Sequence, residues 1–311
     1  VDEVFRDARQ VGDLDLQIAC HEELIFMHLA LGDRSTAERL RDAHDALART
    51  SRTRGDDWRA TALRAMFALV DGRHVEAEQL ILKANDVAGT WSWTWLQQMF
   101  DLRRRQGRFE EVWKLVEEAR EQRPWWPHLD LVSALAYADT GDLERAAVHL
   151  GRARVDLLVE SNVKEDWWCS ALAEIAEVVS RVGDSQIART AYDGLLPFAN
   201  LNVEVSAFGT YSGPVAHDLG LLATTLRDWN AAERHFEAAL AMNERMRARP
   251  FLAESQFAYA DMLVRRGEPA DRQKALELVD QALVVAEEIG MTRLATLARS
   301  LKEQLQRAVD R

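Results

Sequence analysis

The side chains with most to offer a ligand are the tryptophans, ten in a chain of 311 residues. Trp58, Trp93, Trp126 and Trp168 stand 14 or 15 residues ahead of Gly72, Gly107, Gly141 and Gly183, so four consecutive segments carry an indole at the same phase. Two accounts fit that phasing. In the first, each indole wedges against the preceding segment, burying a large area and finding a partner for its N–H. In the second, the neighbours Trp91, Trp95, Trp125 and Trp167, too many for one seam to bury, line an aromatic rim for an apolar or sugar-like ligand or an aromatic-rich peptide.

Catalytic constellations are harder to find. The eight histidines form no H-E-x-x-H, and His21-Glu22-Glu23 is adjacent rather than on one helical face. Gly209-Thr210-Tyr211-Ser212-Gly213 places its serine one position late for a nucleophile elbow. Asp13 with Asp15, and Glu287 with Glu288, are pairs common on solvated helix ends. No G-x-x-x-x-G-K-S/T supplies a phosphate cradle. The two cysteines, Cys20 and Cys169, are far apart and suggest neither a disulfide framework nor a zinc site. The expectation is a non-catalytic chain with no cofactor and no metal.

Charge narrows the partners. A net charge of −12 argues against nucleic acid, which needs a basic stripe. The densest basic run, Arg103-Arg104-Arg105, reads as a solvated helix end. No apolar run approaches the roughly 18 residues that span a bilayer, and no signal-peptide pattern opens the chain. A cytoplasmic chain is expected, and an excess of arginine over lysine suggests a bacterial one.

The elements that must position these residues repeat. Gly32-Asp33 with Ala37, Gly72-Arg73 with Ala77, Gly107-Arg108 with Val112, Gly141-Asp142 with Ala146 and Gly183-Asp184 with Ala188 share one pattern: glycine, a charge, then a small apolar residue five positions after the glycine. Arg227-Asp228-Trp229 with Ala232 replaces the glycine, and Gly267 with Ala275 carries three extra residues. The intervals of 34 to 44 residues are those of stacked helical hairpins. In such a stack each repeat packs only on its neighbours, so length sets no domain count. In the best-formed unit, 215 to 245, Gly220 and Ala232 let two helices approach and Phe236 fills the gap toward the next hairpin. This unit matches the tetratricopeptide pattern.

A further resemblance rests on Gly213-Pro214-Val215-Ala216-His217-Asp218-Leu219-Gly220-Leu221-Leu222-Ala223, on Arg227-Asp228-Trp229-Asn230-Ala231-Ala232-Glu233-Arg234-His235-Phe236-Glu237-Ala238-Ala239-Leu240, and on Met246-Arg247-Ala248-Arg249-Pro250. These runs, with Gly267-Glu268-Pro269 and the closing Ala286-Glu287-Glu288-Ile289-Gly290-Met291, resemble the helical-repeat region of large bacterial ATPases of the LuxR-type transcriptional regulator and cyclase-linked kind. The likeness covers roughly residues 190 to 300. It implies a sensor and interaction arm that receives an inducer or a partner and relays it to an ATPase.

The resulting expectation is an all-α, right-handed superhelical solenoid of about seven tetratricopeptide-like hairpins. It spans residues 1–311 as one domain excised from a longer chain, with 1–11 the tail of a preceding repeat and 291–307 a C-terminal capping helix. First helices line the concave face, which places Glu22, Phe26, Met66, Gln97, Asp101, Arg104, Leu131, Glu177, His217, Phe257 and Asp261 inward. Pro197 to Pro214 breaks the helical period and reads as a long loop, with Phe208 and Tyr211 either reaching a site or sealing a step between repeats. The expected occupant of the groove is a protein partner, a peptide or a small inducer. The alternatives are a small-molecule receptor with a tryptophan-rich pocket in 91–168, or an autonomous scaffold.

Overall fold

The computed structural model describes residues 2–50, 54–88, 92–124, 128–153, 168–205 and 209–307. The repeated turn builds what surrounds it. Gly32, Gly72, Gly107, Gly141 and Gly183 all sit at φ between +72° and +88°, where a left-handed residue closes a helix. The aspartate that follows opens the next one. Asp33, Asp142, Asp184 and Asp228 each accept a backbone N–H from the first turn of the second helix at 2.9 to 3.1 Å, a cap worth about 1 kcal/mol. Arg108 makes no such cap. Arg227 takes the glycine's place at φ +58°.

Seven hairpins result among the described residues. They pair α2 (Leu14–Ala30) with α3 (Arg34–Thr50), α4 (Arg54–Asp71) with α5 (His74–Ala88), and α6 (Trp93–Gln106) with α7 (Phe109–Gln122). Then come α8 (His128–Thr140) with α9 (Leu143–Arg152) and α10 (Trp168–Val182) with α11 (Ser185–Leu195). The last two are α12 (Val215–Thr225) with α13 (Trp229–Met246) and α14 (Arg249–Arg266) with α15 (Asp271–Ile289). Helix α1 (Asp2–Val11) precedes them and α16 (Thr292–Arg307) follows. The small residue after each turn is buried at the hairpin crossing: Ala37, Ala77, Val112, Ala146, Ala188, Ala232 and Ala275 are all fully buried. A Cβ on Gly220 would lie 2.7 Å from the Phe236 ring, which is why that crossing needs glycine.

Two features depart from a plain all-α stack. The break after α11 is not a loop: β1 (Asn202–Val205) and β2 (Thr210–Pro214) pair antiparallel, with a bulge between Val203 and Glu204. This β-hairpin turns inward and packs against the first helices α2, α4, α6, α10 and α12, and against α13. Its polar groups are met there. Asn202 Nδ2 donates to Leu29 O at 2.7 Å, and Gln98 Nε2 donates to Gly209 O at 2.6 Å and to Ala62 O at 3.1 Å.

The second departure is closure. The stack curls until the turns of its first hairpins pack on its last helices. Arg34 Nη1 donates to Met246 O at 2.6 Å, a Cβ on Gly72 would lie 2.9 Å from Ile289, and Gly107 faces the backbone of Arg293. Helix α4 touches α14, and α6 touches α16. Instead of an open groove, the first helices enclose an interior.

Candidate functional site

The β-hairpin fills one part of that interior and leaves another empty. The empty part is a chamber of about 330 Å³. Each inner helix turns one stripe toward it at helical spacing: Gln97, Asp101, Arg104 and Arg105 from α6; Ser170, Glu174, Glu177 and Arg181 from α10; His217, Asp218 and Leu221 from α12. Helix α14 adds Phe251, Glu254, Phe257, Ala258, Asp261 and Arg265, and the first turns of α16 add Arg293, Leu294 and Leu297. Arg265 and Leu297 are exposed and mark the mouth.

The arginines are tied down. Asp139, its side chain fully buried behind the wall, receives Arg104 Nε at 2.6 Å, Arg181 Nη1 at 2.5 Å and Arg293 Nη1 at 3.2 Å. Burial alone would raise the Asp139 carboxyl, but Arg104, Arg293 and Arg181 overcome it and hold the group well below the usual carboxylate range. Arg104 also pairs with Glu177 at 2.8 Å, Arg105 with Glu254 at 3.1 Å and Arg265 with Asp261 at 2.8 Å.

Glu174 meets the His128 ring at 3.4 Å, and two lining acids have no basic partner among the described residues. Asp218 is 4% exposed and its Oδ2 has no hydrogen-bond partner among the described residues. Burial raises its carboxyl well above the ordinary value, and the charges of Glu177 and Glu254 add to the shift. Asp101 makes no ion pair among the described residues. Burial pushes it up to about 6 against the pull of Arg105 and Arg104. Next to Asp218, the His217 ring meets Ser255 Oγ at 3.0 Å, and burial lowers its pKa, which keeps the imidazole neutral. Among the described residues no cluster of three or more His, Cys, Asp or Glu is arranged to hold a metal ion, and no helix is long and apolar enough to cross a membrane.

Of the residues singled out from sequence, Gln97, Asp101, Arg104, Glu177 and His217 come together around this chamber, along with Phe257 and Asp261 of the inward face. Others are elsewhere. Leu131 is 1% exposed, sunk in the hydrophobic core with Leu135 and Ile175, because α8 is packed on nearly all sides. Phe26 and Met66 are core residues beside Tyr211 rather than groove residues. Glu22 is spent on His44, 3.1 Å away.

Tyr211 is buried within the β-hairpin, edge-on to Phe251 at 5.1 Å and donating to Asn202 Oδ1 at 3.1 Å. Trp95 is half-buried against the core, its Nε1 without a hydrogen-bond partner among the described residues, and does not line the chamber. Trp91, Trp125 and Trp167 lie outside the described residues, as do Trp126 and Phe208. Of the phased indoles, Trp168 is buried with its ring 5.8 Å from Phe198, and Trp93 is half-buried on the core under the Arg123 guanidinium.

Sequence reasoning missed Asp218, Glu254, Arg181 and Arg293. Asp218 adjoins the singled-out His217, and the helical period alone could have drawn it in. Arg293 carried no signal, since only closure of the stack brings α16 to the chamber. The run Arg103-Arg104-Arg105 is not solvated: Arg103 pairs with Glu78 at 2.7 Å, and the other two are committed as above.

No protein-family model matches the chain, and no curated protein matches it. Among solved structures, a tetratricopeptide repeat protein from Parabacteroides merdae is similar with a TM-score of 0.36 and 15% identity, over 78% of this chain and 98% of that chain.

Proposed function

We propose that this chain is a non-catalytic sensor arm whose inner chamber receives a small ligand. Stacked hairpins commonly offer a concave surface to a partner, but here the concave side is plugged by the β-hairpin and closed by the last helices. One observation carries the reading: a chamber of about 330 Å³, within the size range of small-molecule pockets, keeps a buried carboxyl oxygen of Asp218 unmatched. Buried polar groups are nearly always paired. An unmatched one in a cavity fits a site that its ligand completes.

The resemblance of roughly residues 190 to 300 to the repeat region of LuxR-type and cyclase-linked ATPases supports placing this arm in a larger bacterial signalling protein. Closure then supplies a relay, because a ligand held between α6, α10, α12, α14 and α16 stabilises the contact between the two ends of the stack. Ala258→Trp fills the chamber. A thermal-melt screen of organic amines, organic acids, sugars and nucleosides should find a class that raises the Tm of the wild type but not of Ala258→Trp. A saturating ligand at a hundred times its Kd adds about 2.7 kcal/mol. If no class does so, or if every shift persists in the filled variant, the chamber is not a receptor site.

A further inference from the structure

Resting on that reading, we propose that the ligand is an organic cation, a protonated amine carried on an apolar or aromatic body, with Asp218 accepting from its ammonium group. The argument begins with charge. Arg104, Arg181 and Arg293 share Asp139, Arg104 and Arg181 also meet Glu177, Arg105 is held by Glu254, and Arg265 is held by Asp261. Each of these guanidinium groups already meets a carboxylate, and only Arg293 keeps an unmatched donor among the described residues, at Nε. More is left open on the acidic side, since Asp218 is unpartnered at Oδ2 and Asp101 has no ion pair among the described residues.

Burial explains why the empty chamber tolerates this. It favours the protonated form of Asp218, with Glu177 and Glu254 pushing the same way. An ammonium group placed beside the carboxyl favours the ionised form instead and supplies the donor that Oδ2 lacks.

The rest of the wall specifies the body. Leu221, Phe257, Leu294 and Leu297 line the same space, with Leu297 exposed at the mouth. An inorganic cation would leave this surface idle. An amine on a hydrocarbon body uses both, burying apolar area against the leucines and Phe257 while its charge reaches α12.

The test uses three probes of matched shape on the full chain, by titration calorimetry: 4-phenylbutylamine, 4-phenylbutan-1-ol and 4-phenylbutanoate. The amine should bind at least tenfold more tightly than the alcohol, and the carboxylate more weakly than either. Asp218→Asn, which keeps the side-chain shape, should cut amine affinity tenfold or more while leaving that of the alcohol within twofold. The wild-type ranking needs no variant, so it decides the matter even if Asp218→Asn folds poorly. Equal binding of the three probes, tightest binding by the carboxylate, or no binding by the amine overturns the cation assignment. The receptor reading falls separately, only if the broader screen yields nothing that Ala258→Trp abolishes.

Discussion

Helix α6 divides the interior of the solenoid into two regions built on opposite principles. On one side Gln98 faces the β-hairpin and donates both to its Gly209 carbonyl and to Ala62 of the neighbouring helix. On the other, Gln97, Asp101, Arg104 and Arg105 face the chamber. In the plugged region Asn202 spans Leu29 and Tyr211, Val203 is fully buried, and Tyr211 closes on Phe251. The chamber is also densely charged, but its pairing is incomplete. The same inner helices can thus be sealed or left receptive, and what decides is whether the chain sends its own backbone inside. Sealing gives stability, whereas incomplete pairing keeps binding energy available for another molecule.

The largest effect that would break this comparison lies in the plug. Tyr211→Ala removes a buried ring from beside Phe251 and strands Asn202 Oδ1, so it should cost about 3 to 5 kcal/mol, measured by urea denaturation. A loss under about 1 kcal/mol would mean that the plug does not hold the interior. Next comes the chamber's own support. Asp139→Asn leaves Arg104, Arg181 and Arg293 around a neutral group and should cost about 3 kcal/mol. Because the folded pKa of Asp139 is depressed, its contribution is present above the unfolded value and is lost as pH falls through the folded one. The gap between wild type and variant should therefore narrow as pH drops below about 4. A gap that widens would show that the three arginines do not stabilise the ionised acid.

A smaller effect tests the seam between the regions. Gly213 sits at φ +93°, and a Cβ there would lie 2.8 Å from the Phe251 ring, whose residue lines the chamber while its ring packs on the plug. Gly213→Ala should cost about 1 to 3 kcal/mol through strain and overpacking. If α14 is the shared wall, the variant should also weaken ligand binding in the chamber. Destabilisation with unchanged affinity would separate the two regions mechanically.

The hairpins were legible in the sequence because their signals are local. The glycine that closes one helix, the aspartate that caps the next and the small residue at the crossing lie within six positions of one another. Gly141 at φ +84° and the buried Ala146 and Ala232 follow from them. The β-hairpin was not legible: β1 offers four residues of alternation, and β2, Thr210–Pro214, is too rich in turn residues to read as a strand. Closure was invisible for a different reason. The partners of Arg103, Arg104 and Arg105 lie 25, 35 and 149 residues away, so a buried set of ion pairs looked like a solvated charge run. The candidate site inherited both difficulties. Its α6 and α10 residues follow from helical phase, while Arg293 and the pairing that leaves Asp218 unmatched are products of tertiary winding.

The smallest effect carries the opposite sign and sharpens the contrast most. Asp101 lies on the chamber side of α6, flanked by Arg104 and Arg105 on its own helix and faced by Glu174 and Glu177 from α10, and burial raises its carboxyl to about 6. An unfolded aspartate titrates near about 3.9. Between those values the folded chain holds the extra proton, so wild-type stability falls as pH rises through that window and stays reduced above it. Asp101→Asn has no proton to lose. The variant should match the wild type below about pH 4, gain on it through pH 6, and remain the more stable of the two at pH 8, as read from urea midpoints across the range. Asn202 and Tyr211 in the plug are bonded to each other, so replacing either removes a partner. If Asp101→Asn instead destabilises the chain at pH 8, then the ionised carboxylate is supported by its arginines after all, and the chamber is a finished network like the plug rather than one awaiting a ligand.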